Sequence, residues 1–372
     1  MNKSRRNSML DLLKFIFAFM IVLYHLYNVL QAKNPPFRGA SLSVEFFFIV
    51  SGYLMAVSAF RKPYSEKETL GKDTRNFIGH KIARLLPNYY VAWLSGFILK
   101  EIVLYHHGFK ALLKQAATSL PELLFITESG LTATRSVHAA WYISAMLIVM
   151  AIYYPLMRKN RDVFLNLLAP LLTLFMLGIG SQNFANLSGS HTLVWGLMFK
   201  TLYRGFMAII YGCVIFRLSQ WLSGIDFNKF GKLLLSLIEA GLYIGIFLYF
   251  YLAGHGKNDF IVFTYIGLAV LLTASGVTYS CDISSRFARL CSWLGEYSFS
   301  LYLAHAPWSQ VLTKISAYAA LPDRQRLIVY LIISLIWGLV IMYVSKLVSA
   351  IWKRCRKAVT DRLIISEPAT DQ

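Results

Sequence analysis

Apolar runs of about 20 residues recur along the whole chain, the length at which an α-helix crosses the hydrocarbon of a bilayer. In that solvent every backbone N–H and C=O needs a partner inside the chain, which leaves only helices or closed barrels. The two-residue alternation of barrel strands is absent. An all-α polytopic membrane protein is expected, with ten spans at 9–30, 40–60, 86–106, 138–157, 162–180, 199–219, 232–253, 259–279, 296–316 and 327–350. Of 372 residues, 57% are hydrophobic and only 15% charged, against roughly a quarter charged in soluble domains. The first run is too long, and lacks the small-residue cleavage site, for a removable leader.

Lys and Arg number 37 and Asp and Glu 18, a formal charge of +19. That balance belongs to the membrane flanks, so no nucleic-acid partner is expected. "MNKSRR", the connection with Arg61, Lys62, Lys67, Lys72, Arg75, Lys81 and Arg84, "RKNR" (158–161), Arg217, Lys229 and Lys232, Arg286 and Arg289, and "KRCRK" (353–357) are basic. The alternating connections are poorer, and "SQNFANLSGSH" (181–191) has no Lys or Arg. The positive-inside bias then puts both termini in the cytoplasm. Residues 106–137 leave room for an interfacial helix. Residues 1–357 read as one membrane domain and 358–372 as a short polar tail. The four Cys lack zinc spacing and read as packing residues.

Polar residues inside the spans narrow the function, because ionisable groups in hydrocarbon cost at least a few kcal/mol. "LDLLKFIFAFMIVLYH" (10–25) carries Asp11, Lys14 and His25. Eleven residues at 100° each bring Lys14 and His25 to one face, roughly 16 Å apart along the axis. Asp11 and Lys14 are equally readable as flank residues that snorkel. The second span opens "SLSVEFFFIVSGYLM" (41–55) and places Glu45 at nearly the depth of His25. A carboxylate facing an imidazole fixes its tautomer and raises its basicity, which suits a general base for a hydroxyl; the alternative is a structural ion pair that ties two helices. Ser51 and Gly52 suit close backbone approach.

Lys81 and Arg84 in "FIGHKIARLLPNYY" (77–90) share a face ahead of Pro87, which is expected to punctuate the join. They suit phosphate binding or simple anchoring. His138, Trp141 and Ser144 step round one side of the fourth span, as an aromatic belt or the wall of an outer cavity. Lys200 and Arg204 suit an anionic acceptor or sugar oxygens, or an ion pair with Glu101 or Glu239. Ser298, Tyr302 and His305 line one face of the ninth span. Walker, GxSxG and HExxH motifs are absent, and no metal is expected.

Taken in order, "LDLLKFIFAFMIVLYH", "SVEFFFIVSGYLM", "HKIARLLPNYY", "WYISAMLIV" and "LGEYSFSLYLAHAP" resemble the bacterial integral-membrane acyltransferases of the acyltransferase-three family, which O-acylate surface polysaccharides. The resemblance covers residues 10 to about 307. The family's basic-x10-His motif falls on Lys14 and His25, with Lys where Arg is commoner. Its acid-FFxxSG segment falls on Glu45, Phe46, Phe47, Ser51 and Gly52, its RLxP segment on Arg84, Leu85 and Pro87, and its last motif on Tyr302 and His305.

The resemblance implies His25 and Glu45 as catalytic residues and acetyl-CoA as co-substrate rather than a bound cofactor. It implies that Lys14, Lys81 and Arg84 hold the donor. Trp141, Ser144, Arg204, Ser298, Tyr302 and His305 would line the acceptor cavity. The implied partners are a saccharide or lipid-linked saccharide, membrane lipids and polysaccharide assembly proteins, in the bacterial cytoplasmic membrane. Two departures stand out. The fourth span reads "WYISAM" where many relatives have the acid-containing "WSLSVEEQFY", and the extra extracytoplasmic esterase-like domain of some relatives is expected to be missing. A proton-coupled transporter with His25, Glu45, His305, Arg204 and Glu239 as relay is the rival reading, and a non-catalytic assembly component a third.

Overall fold

The computed structural model describes residues 7–365, apart from 31, 33, 62–68, 132–136, 138–140 and 190–191, with side chains to residue 355. The leader 1–6, Lys62, Lys67 and His138 lie outside the described residues. Each expected span is occupied by a helix: α1 Ser8–Tyr24, α2 Ser43–Arg61, α3 Leu70–Phe97, α4 Trp141–Lys159, α5 Ala169–Asn183, α6 Lys200–Leu222, α7 Lys229–Leu252, α8 Asp259–Ser275, α9 Ser285–Val311 and α10 Asp323–Ile365. Among the described residues seven helical segments are long and apolar enough to cross a membrane. The expectation of ten exceeds that number because α3 and α9 carry polar residues along much of their length and α8 is short. The tail beyond 357 continues α10 as far as Ile365.

The expectation for Pro87 is corrected: α3 runs unbroken through it. Proline removes one backbone hydrogen bond, and neighbouring helices in a bundle make that tolerable. The helix anticipated in 106–137 is Phe109–Thr118. Among the described residues, strand structure is confined to a two-residue antiparallel pair, Leu193–Val194 with Met198–Phe199.

Helix exposure separates centre from periphery. In α2 and α4, 72% of the most apolar window is buried, and in α6 67%, against 17% in α7 and 28% in α10. At their crossing the central α2 and α6 meet backbone to backbone. A Cβ on Gly52 would run into the Ile209 carbonyl, and one on Gly212 into the Ile49 carbonyl. The small residues thus serve the packing that the sequence suggested for Gly52. At the expected cytoplasmic end, buried Arg158 of α4 donates to Asp73 of α3 at 2.7 Å and to the Ala59 carbonyl of α2 at 2.8 Å. Phe77 and Tyr154 stack beside this pair at 3.9 Å. The same small-residue logic joins α1 to α9, where a Cβ on Gly295 would lie 2.6 Å from the Cβ of Asp11.

Candidate active site

The α1 helix stops at His25, whose ψ of 1° breaks the helical run before a short turn, Leu26–Val29. The break turns the imidazole toward α9. His25 and His305 lie with ring centroids 4.9 Å apart. His305 is fully buried and its Nδ1 is 3.4 Å from the Leu301 carbonyl oxygen of its own helix. The Tyr302 ring packs 5.9 Å from His305. On the opposite side, the Asn28 carboxamide Nδ2 lies 3.3 Å from His25 Nδ1. A carboxamide presents either an acceptor or a donor to that nitrogen, so Asn28 controls which ring nitrogen carries the proton.

The expected pairing of Glu45 with His25 is corrected. Glu45, fully buried in the first turn of α2, takes Arg204 of α6 in a bidentate pair, Nε to Oε1 at 2.6 Å and Nη2 to Oε2 at 2.9 Å. The physical reason is charge matching: a dry carboxylate with four lone-pair sites is satisfied by a fork of N–H groups, which an imidazole lacks. The alternatives for Arg204 fall with it. Glu101 is 2.9 Å from His107 Nδ1 and 3.9 Å from Lys100 Nζ. Glu239 accepts from Thr273 at 2.5 Å and Ser280 at 3.1 Å. Arg204 also lies under Trp141, its Cζ 5.2 Å from the ring centroid, which holds that indole against the site.

These helix ends enclose a cavity of about 240 Å³. His25, Trp141, Arg204 and Tyr302, four of the residues singled out from sequence, line it. Tyr24, Tyr27, Ser41, Ser188 and Gly189 join them and carried no warning beyond their neighbourhood. Two further candidates are turned away. Ser144 accepts from the Glu128 backbone N–H at 3.0 Å, and Ser298 donates to the Gly295 carbonyl at 2.8 Å. Their faces are right, but local bonds claim the hydroxyls.

Behind Ser41 sits a third histidine. His255 Nδ1 is 3.4 Å from Ser41 Oγ and 4.0 Å from Asp259 Oδ2. Asp259 is fully buried and accepts from Tyr249 at 2.7 Å and from the Leu187 N–H at 2.9 Å. In the connection between α7 and α8, burial pushes the His255 imidazole below its ordinary value. Asp259 opposes that shift, while Arg38, Arg204 and Lys200 add to it. Lys200 donates to the Ser188 carbonyl at 2.6 Å and so braces the connection that forms one wall of the cavity.

The donor-side candidates lie at the other end of α1. Lys14 pairs with Asp11 at 3.0 Å. Lys81 lies ahead of the apolar part of α3. Burial there, then the Arg84 and Lys14 cations, push its ammonium down to about 8. Three cations whose fields overlap, one of them paired with Asp11, suit anions.

Searches among curated proteins and among solved structures find no match to this chain. A family model described as "Acyltransferase domain", the acyltransferase-3 type, matches residues 7–346. It spans α1 through most of α10 and takes in the cavity and the cation group alike. The chain therefore belongs to the acyltransferase-3 family and is a multi-pass membrane acyltransferase.

Proposed function

We propose that the chain is an O-acyltransferase of the bacterial cytoplasmic membrane, moving an acetyl group from cytosolic acetyl-CoA to a hydroxyl of a surface or lipid-linked saccharide. One observation carries the reading. A histidine-lined cavity with aromatic walls and a cation cluster occupy opposite ends of the same helix, Lys14 and His25 being about 16 Å apart along α1. Phosphates suit Lys81, Arg84 and Lys14. The aromatic faces of Tyr24, Tyr27 and Trp141 suit a sugar ring, and Ser41 and Arg204 suit its hydroxyls.

In the proposed step, the Asn28 carboxamide turns so that its oxygen, rather than the Nδ2 that faces the ring at 3.3 Å, accepts from Nδ1–H of His25, leaving Nε2 as the base. Nε2 takes the proton of the acceptor hydroxyl as its oxygen attacks the thioester carbonyl. The C–S bond breaks, and the departing CoA thiolate recovers the proton from the imidazolium. Glu45 takes no proton. It fixes Arg204, which with Trp141 shapes the acceptor wall. His305 supports the His25 ring from α9.

Mass spectrometry of surface polysaccharide from cells with and without the chain tests this reading, through loss of an acetyl mass. Reconstitution with acetyl-CoA tests the residue: His25→Ala abolishes transfer at equal membrane abundance. Wild-type acetylation by that variant sinks the assignment.

A further inference from the structure

A second cavity of about 260 Å³ lies one turn beyond the histidine pair. Asn28, three residues after His25, lines it from one side, and Ser309, four after His305, from another. Two lysines line the remaining wall: Lys100 from the π-helical continuation of α3, Ile98–Leu104, and Lys314 from the turn after α9. Thr313 and Gln310 add a hydroxyl and a carboxamide. The lining residues include no acid, and Glu101, 3.9 Å from Lys100, is also engaged by His107. The balance stays positive.

Both lysines lie near the outer ends of spans expected to run outward, so they work against the positive-inside bias. Topology gives no reason to keep them there. Exposed Ile98, Ile102 and Val103 flank Lys100, so the cations meet apolar surface of the kind that faces lipid chains. Two ammoniums with hydroxyl and carboxamide donors match phosphate oxygens.

We propose that this cavity binds the phosphate or diphosphate of a lipid-borne acceptor, one helical turn from the site where the hydroxyl reaches His25. Assignment of the anion to the acceptor rests on the function proposed above; binding of the anion does not.

The test titrates inorganic pyrophosphate into the purified full-length protein in detergent and follows its thermal stability. Saturable stabilisation is expected, with the apparent Kd raised at least about tenfold in K100Q/K314Q, as loss of charge-assisted hydrogen bonds requires. K314Q alone alters an exposed side chain and is expected to fold and to weaken binding about threefold. Because Lys81 and Arg84 are themselves proposed to hold donor phosphates, the titrations are repeated in K81Q/R84Q, where a saturable response that K100Q/K314Q removes is expected to remain. A wild type that does not respond, or a K100Q/K314Q protein that responds unchanged, overturns the site.

Two competitors identify the source of the anion. Geranyl diphosphate displacing pyrophosphate at lower concentration than methyl phosphate supports an acceptor with a lipid tail. Displacement by phosphatidylglycerol nanodiscs but not by phosphatidylcholine ones, with no advantage for geranyl diphosphate, assigns the site to bulk lipid and overturns the acceptor role. None of these readouts needs acyl transfer. A protein that binds pyrophosphate here yet never releases CoA would sink the enzymatic reading and leave the anion site standing.

Discussion

Arg204 and Glu45 are joined by two parallel N–H···O bonds of 2.6 and 2.9 Å, linking the first turn of α2 to the start of α6. Removing one partner strands a buried charge, which costs about 3–5 kcal/mol. Glu45→Ala is therefore expected to lower the melting temperature sharply. The double replacement E45L/R204M is expected to recover much of the loss without recovering acyl transfer. Thermal unfolding and turnover on the three proteins separate the two roles.

Asn28 is the group that meets Nδ1 of His25. Asn28→Leu is expected to lower turnover by about 10²-fold, in the range of a misassigned general base, while acetyl-CoA affinity holds. Steady-state kinetics with equilibrium CoA binding checks the split. A parallel loss of CoA affinity would make Asn28 a packing residue.

Lys81 sheds its proton near pH 8 in the free protein. Above that pH the donor site loses a cation, so acetyl-CoA affinity is expected to fall as pH rises through about 8. Lys81→Arg keeps its charge throughout and is expected to flatten that fall. Isothermal titration between pH 6.5 and 9.5 reads both curves.

His255 binds its proton less readily folded than unfolded. The unfolded chain then takes up the extra proton as pH drops below the ordinary histidine value of about 6.5, so stability declines over that interval. His255→Gln is expected to lose less stability than the wild type between pH 7 and 5. Melting curves at matched ionic strength decide it.

The glycine crossing admits no side chain. Gly52→Ala and Gly212→Ala are each expected to abolish accumulation of folded protein, because the new methyl meets backbone rather than a movable side chain. Gly178→Ala and Gly241→Ala, where nothing lies within 4 Å, are expected to accumulate normally. Fluorescence-detected size exclusion of the four variants makes the comparison.

Which groups converge was partly readable from sequence, because ionisable and aromatic residues inside expected spans are costly unless they face the bundle. His25, Trp141, Arg204 and Tyr302, singled out on that ground, share a cavity. Neighbour order was not readable. Height alone cannot say whether Glu45 meets α1 or α6, and the stronger two-point donor on α6 won. Face was readable for Ser144 and Ser298, but their hydroxyls had nearer acceptors and donors than the cavity offers. The wall from Ser188 and Gly189 was invisible, since a connection shows no periodicity to place it.

The backbone contact between Gly52 and Gly212 has a mechanical meaning. Two helices that touch carbonyl to Cα have no rotamers through which to slip, so α2 and α6 move as one rigid bar. Glu45 and Arg204 ride on that bar and provide a fixed reference for the reaction. In the proposed transfer, any relative movement of donor and acceptor then falls to the α1–α9 side, where the helix breaks at His25, rather than to this bar.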